Sequence, residues 1–242
     1  MTIASIHVKD DAEIQDRILV SRKTQLFEVA VFLFLVVPSL VLSLFVTTPG
    51  SMSFQLTAVM VIVRDLALVS LVLYFIWRNG EGVSRIGWSF RRLPVEILLG
   101  VLLFLPMPFA IDWIERFFTD VGLSSPPASA SSLLHPVGGT ELGLAAALVL
   151  VVAIAEETIF RGYLMLRFTG IGLGKTLAVL LSASIFAVGH GYEGSSGVAT
   201  VAVMGVVFAL VYLWRRSLMA PMVMHFLQDF LAIVLLPLLA AR

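Results

Sequence analysis

Residues 142–164 read LGLAAALVLVVAIAEETIFRGYL. As a helix rising ~1.5 Å per residue, a run of this length extends past the ~30 Å hydrocarbon core of a bilayer. It shows no strict alternation of apolar and polar residues, so it is no strand. A helix satisfies its own backbone groups, which lipid cannot do. Yet the same run carries Glu156, Glu157 and Arg161 toward its end. The first property sets the fold and the second bears on function.

Six further apolar runs lie around it, near 27–46, 52–77, 94–111, 176–190, 198–214 and 218–239. Short turn-rich pieces separate them, such as Thr47-Thr48-Pro49-Gly50-Ser51 and Gly170-Ile171-Gly172-Leu173-Gly174. The chain of 242 residues is 59% hydrophobic and 13% charged, with a mean hydropathy of +1.01, whereas soluble domains carry roughly 25% charged residues. The expected class is therefore all-α, a polytopic membrane bundle of about seven transmembrane helices. A polar tail, 1–26, precedes a single helical domain, 27–242, whose functional core is expected at about 142–239. The first run has no small-residue cleavage pattern and reads as an uncleaved anchor. A formal net charge of zero leaves no basic field for nucleic acid. The absence of cysteine removes thiolate nucleophiles, disulfides, Fe–S clusters and Cys-ligated zinc.

Orientation follows from lysine and arginine. With the N-terminus cytoplasmic, the inner side receives Lys9, Arg17, Arg22, Lys23, Arg78, Arg85, Arg91, Arg92, Arg161, Arg167, Lys175, Arg215 and Arg216. Only Arg116 and Arg242 fall outside, and Arg64 lies within a span. The expected location is the cell membrane of a bacterium, with multiple passes. The outer loop, about 112–141, holds a Ser/Pro-rich stretch over 124–132 and is assigned no chemistry; His135 there and His7 in the tail read as incidental.

A charge near mid-bilayer costs about 2.5–3.5 kcal/mol on insertion scales, so each one calls for an explanation. Glu28 and Glu96 sit at inner span ends, where they are expected to snorkel. Arg64-Asp65 reads first as an ion pair or helix-packing device. The later half differs, because three spans each carry polar groups at helical spacing. Glu157 and Arg161, at i,i+4 in acid-before-base order, can pair on one face, whereas Glu156 points ~100° away without a local counter-charge. Such a carboxylate is suited to act as a general base. In Phe186-Ala187-Val188-Gly189-His190 a ring lies one turn from the imidazole, and His225 and Asp229 share a face at i,i+4.

The set Glu156-Glu157-x-x-x-Arg161, Phe186-x-x-x-His190 and His225-x-x-x-Asp229, in this order on membrane helices, resembles the CAAX-protease and bacteriocin-processing (CPBP) family of intramembrane endopeptidases. These are also called type II CAAX prenyl proteases or the Abi family. The resemblance covers about 148–232 and includes Arg161-Gly162-Tyr163-Leu164 and Ser182-x-Ser184-x-Phe186. It implies hydrolysis of a peptide bond in a membrane-embedded or lipidated substrate, CAAX-type or bacteriocin-like. Carried over by position, Glu156 and His190 would activate water. His225 and Asp229 would bind the oxyanion or a metal, and Glu157 with Arg161 would support the site. A metal-free glutamic mechanism is favoured, with Zn²⁺ on His190, His225 and Asp229 as the alternative. Oligomeric state is left open. Counted along upright helices at ~1.5 Å per residue, Glu156 lies ~16 Å deep, His190 ~22 Å and His225 ~9 Å. Tilt or a re-entrant fifth span has to bring them together.

Three rival readings compete. A rhomboid-like serine protease would use Ser196 of Gly194-Ser195-Ser196-Gly197 with His225, but the two sit toward opposite ends of their spans. A proton- or ion-coupled transporter would use the same ionisable groups as relays, and would more typically show inverted repeats. An inactive membrane scaffold would retain the motifs without the chemistry. Gly174-Lys175-Thr176 ends like a phosphate loop, but Thr169 stands where the first glycine is required.

Overall fold

A computed structural model describes residues 20–43, 53–125 and 136–240. His7, most of the polar tail, His135, the serine-rich stretch from 126 onward and Arg242 lie outside them. Every apolar run is helical, and no strand occurs among the described residues. The helices are α1 (Arg22–Ser43), α2 (Phe54–Arg78), α3 (Leu93–Phe104), α4 (Met107–Asp120), α5 (Gly139–Gly170), α6 (Lys175–Val188), α7 (Gly194–Arg215) and α8 (Met219–Leu239).

Five of these are long and apolar enough to cross a membrane: α1, α2, α5, α8, and α7 with the turn before it. α3 and α4 meet at 42° and make a sixth if they form one span. The bend falls at Pro106, whose ring removes a backbone donor and blocks the preceding turn. α6 is apolar but only 14 residues long, or about 21 Å. The expected count of seven thus becomes five clear spans, a bent pair and one short helix, in an all-helical, multi-pass integral membrane protein.

The expected outer loop beginning near 112 is corrected, because α4 continues to Asp120. Asp112 and Arg116 pair at 3.0 Å while Trp113 and Phe117 stack. The charged residues Asp112 and Arg116 mark one face of an amphipathic helix.

α8 runs along α3 and α5, α2 along α5, and α7 along α6 and α4. The α3–α8 contact depends on Gly100, where an added Cβ would lie 2.7 Å from Val223 Cβ and 2.8 Å from the Ala220 carbonyl. Close approach of this kind replaces the hydrophobic drive that lipid cannot supply.

Glu28 and Glu96 do not snorkel. Both are buried, because partners from other helices reach them. Glu28 accepts from Arg78 Nη2 at 3.0 Å, Asn79 Nδ2 at 2.8 Å, Arg167 Nε at 3.1 Å and the Tyr163 hydroxyl at 3.3 Å. Arg167 also binds Glu81 through both terminal nitrogens, and Arg85 stands 3.4 Å from Glu81. Glu96 takes Arg215 Nη2 at 2.7 Å. Arg167 and Arg161, grouped above with the inner loops, are both 1% exposed and are paired inside the bundle. These bonds put the start of α1, the end of α2 and the end of α5 at one end of the bundle. Ser124, beyond α4, meets Ser195 and Ser196 at the start of α7, at another point of closure.

Candidate active site

Glu156 closes the α-helical part of α5, and Glu157 opens a π-helical stretch, Glu157–Leu164. A π-turn bonds i to i+5 and is wider than an α-turn, and such stretches are frequent at functional sites. α8 has a second one at Phe230–Leu235, directly after Asp229.

Glu157 and Arg161 form the expected i,i+4 pair, Nη1 to Oε1 at 2.8 Å, with both side chains buried. Arg161 also donates through Nη2 to the Gly205 carbonyl at 3.4 Å. Its guanidinium lies over the Phe186 ring at 4.3 Å and the Phe208 ring at 5.3 Å. Gly205 permits this, since a Cβ there would stand 3.1 Å from Ala183 Cβ and 3.3 Å from Arg161 Nη2.

His225 stands among three carboxylates. Its Nδ1 lies 2.9 Å from the Glu157 oxygen that Arg161 also binds. Its Nε2 lies 3.4 Å from Asp229 Oδ2 and 3.8 Å from Glu156 Oε2. Phe208 stacks on the imidazole at 5.6 Å and Phe186 meets it edge-on at 5.9 Å. The ring is thus clamped on two faces and at Nδ1, and Nε2 is directed toward the two less buried acids. The depth gap expected from straight helices is closed for Glu156, Glu157, Arg161, His225 and Asp229.

His190 arrives differently. It follows the end of α6, its Nδ1 lies 3.2 Å from the Phe186 carbonyl, and its ring lies 4.8 Å from that of Phe186. It therefore approaches the cluster across Phe186, the ring that also borders His225.

Three residues not expected at the site are near it. Arg64 and Asp65 of α2 line a pocket with Glu156, Leu40, Leu68 and Phe160, and Arg64 Nη2 lies 3.9 Å from Glu156 Oε1. Tyr192, 6.0 Å from the His190 ring, is within electrostatic reach of Asp229 and Glu156. Arg64 and Asp65 carry a signal in the sequence, being charges in mid-span; Tyr192 carries none.

Buried oxygens of Asp65 (Oδ2), Glu156 (Oε2) and Glu157 (Oε2) have no hydrogen-bond partner among the described residues. Buried acceptors are nearly always satisfied, so these three oxygens stand out within the cluster. Zinc takes such ligands at ~2.0–2.2 Å, but His225 already faces carboxylates at both nitrogens. Among the described residues no group of three or more His, Asp or Glu side chains is gathered to hold a metal ion. Ser196, the serine of the rhomboid-like reading, lies in the first turn of α7 and donates to the Ser124 carbonyl at 2.9 Å.

Residues 138–231 match the family model described as type II CAAX prenyl endopeptidase Rce1-like. No curated protein and no solved structure matches the chain.

Proposed function

The chain belongs through residues 138–231 to the CPBP family of intramembrane peptidases, and on that premise we propose that it is an endopeptidase hydrolysing a peptide bond of a lipidated or membrane-inserted substrate with a Glu156-activated water. The observation that carries this reading is the division of labour around His225: Glu157 and Arg161 fix its Nδ1 side, while Glu156 and Asp229 face its Nε2 side.

In the proposed reaction Glu156 takes a proton from water, with His190 assisting, as the water oxygen bonds to the scissile carbonyl carbon. The carbonyl oxygen becomes an oxyanion beside His225 Nε2 and Asp229. Collapse breaks the C–N bond, and the proton held by Glu156 goes to the departing amine. Water is consumed and a carboxylate and an amine are released. Asp229 donates to the oxyanion only when protonated, so His225 is the principal donor. The metal-free mechanism is preferred because Nδ1 of His225 is held by Glu157 at 2.9 Å, which leaves Nε2 turned toward Glu156 and Asp229 as the donor.

In the membrane we place the N-terminus in the cytoplasm, as the basic residues favour, with the bent α3–α4 pair crossing once and α6 as the seventh, short segment. A bacterial cell membrane is the setting proposed. The test is direct: purified protein in detergent is given a prenylated or membrane-inserted reporter peptide, beside a Glu156→Gln control. Cleavage by the wild type alone supports the reading, and equal cleavage by both removes Glu156 from the mechanism. Substrate uptake into sealed vesicles without cleavage would favour the transporter.

A further inference from the structure

The segment matched by the family begins at residue 138, yet the contacts of Glu156 extend to a helix well before it. The two oxygens of this carboxylate face different helices. Oε2 is directed to His225 Nε2 on α8, and Oε1 to Arg64 Nη2 on α2 at 3.9 Å. Arg64 is itself oriented, because its Nε donates to Asp65 Oδ1 at 2.8 Å while Asp65 is only 1% exposed and lies within electrostatic reach of Glu156 and His225. α2 packs along α5, which brings Arg64 and Asp65 into the lining of the pocket that Glu156 also lines.

We propose that Arg64, held by Asp65, is a positioning residue that fixes the rotamer of Glu156, so that one oxygen is tied to α2 and the other is left toward His225 and the reacting water. The proposal rests on the protease reading above for its kinetic part only. Charge neutralisation alone does not account for the geometry. Asp65 suffices as counter-ion to Arg64, and a guanidinium has five N–H donors, of which Asp65 takes the inner Nε–H and leaves an outer nitrogen turned to Glu156. A carboxylate free to rotate between α2 and α8 would present its base oxygen correctly only part of the time, and small misplacements of a catalytic group are costly in rate.

The experiment uses the full chain in detergent micelles, with Arg64→Gln, Arg64→Lys, Glu156→Gln and the Arg64→Gln/Glu156→Gln double variant. Two quantities are read: cleavage of a lipidated reporter peptide, and melting temperature. Arg64→Gln is expected to lower kcat roughly 10²-fold with KM within about twofold, and Arg64→Lys is expected to recover only part of the loss, because an ammonium restores the charge but not the two separate nitrogens that meet Asp65 and Glu156. Arg64→Gln is expected to lower the melting temperature less in the Glu156→Gln background than in the wild type, as for residues in contact. Unchanged kcat in Arg64→Gln, a change confined to KM, or strictly additive melting shifts would each overturn the proposal. If the wild type cleaves no reporter, the protease reading fails separately, and additivity or non-additivity of the melting shifts still decides whether Arg64 holds Glu156.

Discussion

Glu156 and Glu157 are neighbours in the chain that meet opposite nitrogens of one imidazole: Glu157 Oε1 is 2.9 Å from His225 Nδ1 and Glu156 Oε2 is 3.8 Å from Nε2. Successive residues on a helix point ~100° apart. A ring inserted from α8 can therefore separate the two acids and give each a different task. Glu157 is fully buried and saturated by Arg161 and His225 at one oxygen; Glu156 remains accessible at 12% of its side chain.

The two acids therefore respond differently to loss of charge. Glu156→Gln should reduce cleavage by about 10²–10⁴-fold, the range of a lost general base, with expression and melting close to wild type. Glu157→Gln should leave Arg161 buried without its counter-charge, a loss of about 3–5 kcal/mol, seen as a lower melting temperature and less folded protein. Equal loss of folded protein in both variants would remove the distinction.

Topology is accessible to single cysteines, clean probes in a chain that has none. Arg85→Cys and Gly172→Cys should be labelled from the cytoplasmic side by an impermeant thiol reagent, and Leu123→Cys from the exterior. Labelling of positions 85 and 123 from the same side would refute the proposed alternation.

Metal dependence separates the two mechanisms. With a glutamate-activated water, activity survives exhaustive dialysis against chelator, and Asp229→Asn is tolerated because an amide donates to an oxyanion at least as well as a protonated acid. Activity lost to chelator and restored stoichiometrically by zinc would transfer the chemistry to a metal centre, with Asp229→Asn weakening its affinity.

The ionic cluster around Arg167 gives a stability test away from the proposed chemistry. Arg167→Met keeps side-chain bulk but strands Glu28 and Glu81, both buried, and should cost about 3–5 kcal/mol. Thermal unfolding in detergent reads the loss. A melting temperature equal to wild type would mean that Arg78 and Arg85 neutralise the two acids unaided.

Much of this was legible from residue spacing, and what was missed has physical causes. Each apolar run is a helix because hydrocarbon admits little else, and the Glu157–Arg161 pair follows from i,i+4 geometry alone. Spacing along one helix says nothing of what another helix brings, which is why Glu28 and Glu96 were expected at the lipid boundary and not against Arg167 and Arg215. The partnership of Arg64 with Glu156 was hidden for the same reason, each residue alone showing only an unexplained charge. Upright helices made His225 too shallow for Glu156, and tilt is set by packing and not by composition. The bend between α3 and α4 did have its signal in Pro106, inside a run read as continuous. The π-helical stretch at Glu157–Leu164 had none, since no residue type demands it.

Arg167 is made long after the acids it joins, 139 residues after Glu28 and 86 after Glu81. By the time Arg167 is made, each acid has a cation already synthesised, Arg78 for Glu28 and Arg85 for Glu81. Arg167 has no such earlier companion and depends on a waiting pair of acids. The end of α5 therefore docks onto acids carried by segments made before it. A polypeptide severed between α2 and α5 would have to reunite its fragments before Arg167 could meet Glu28 and Glu81.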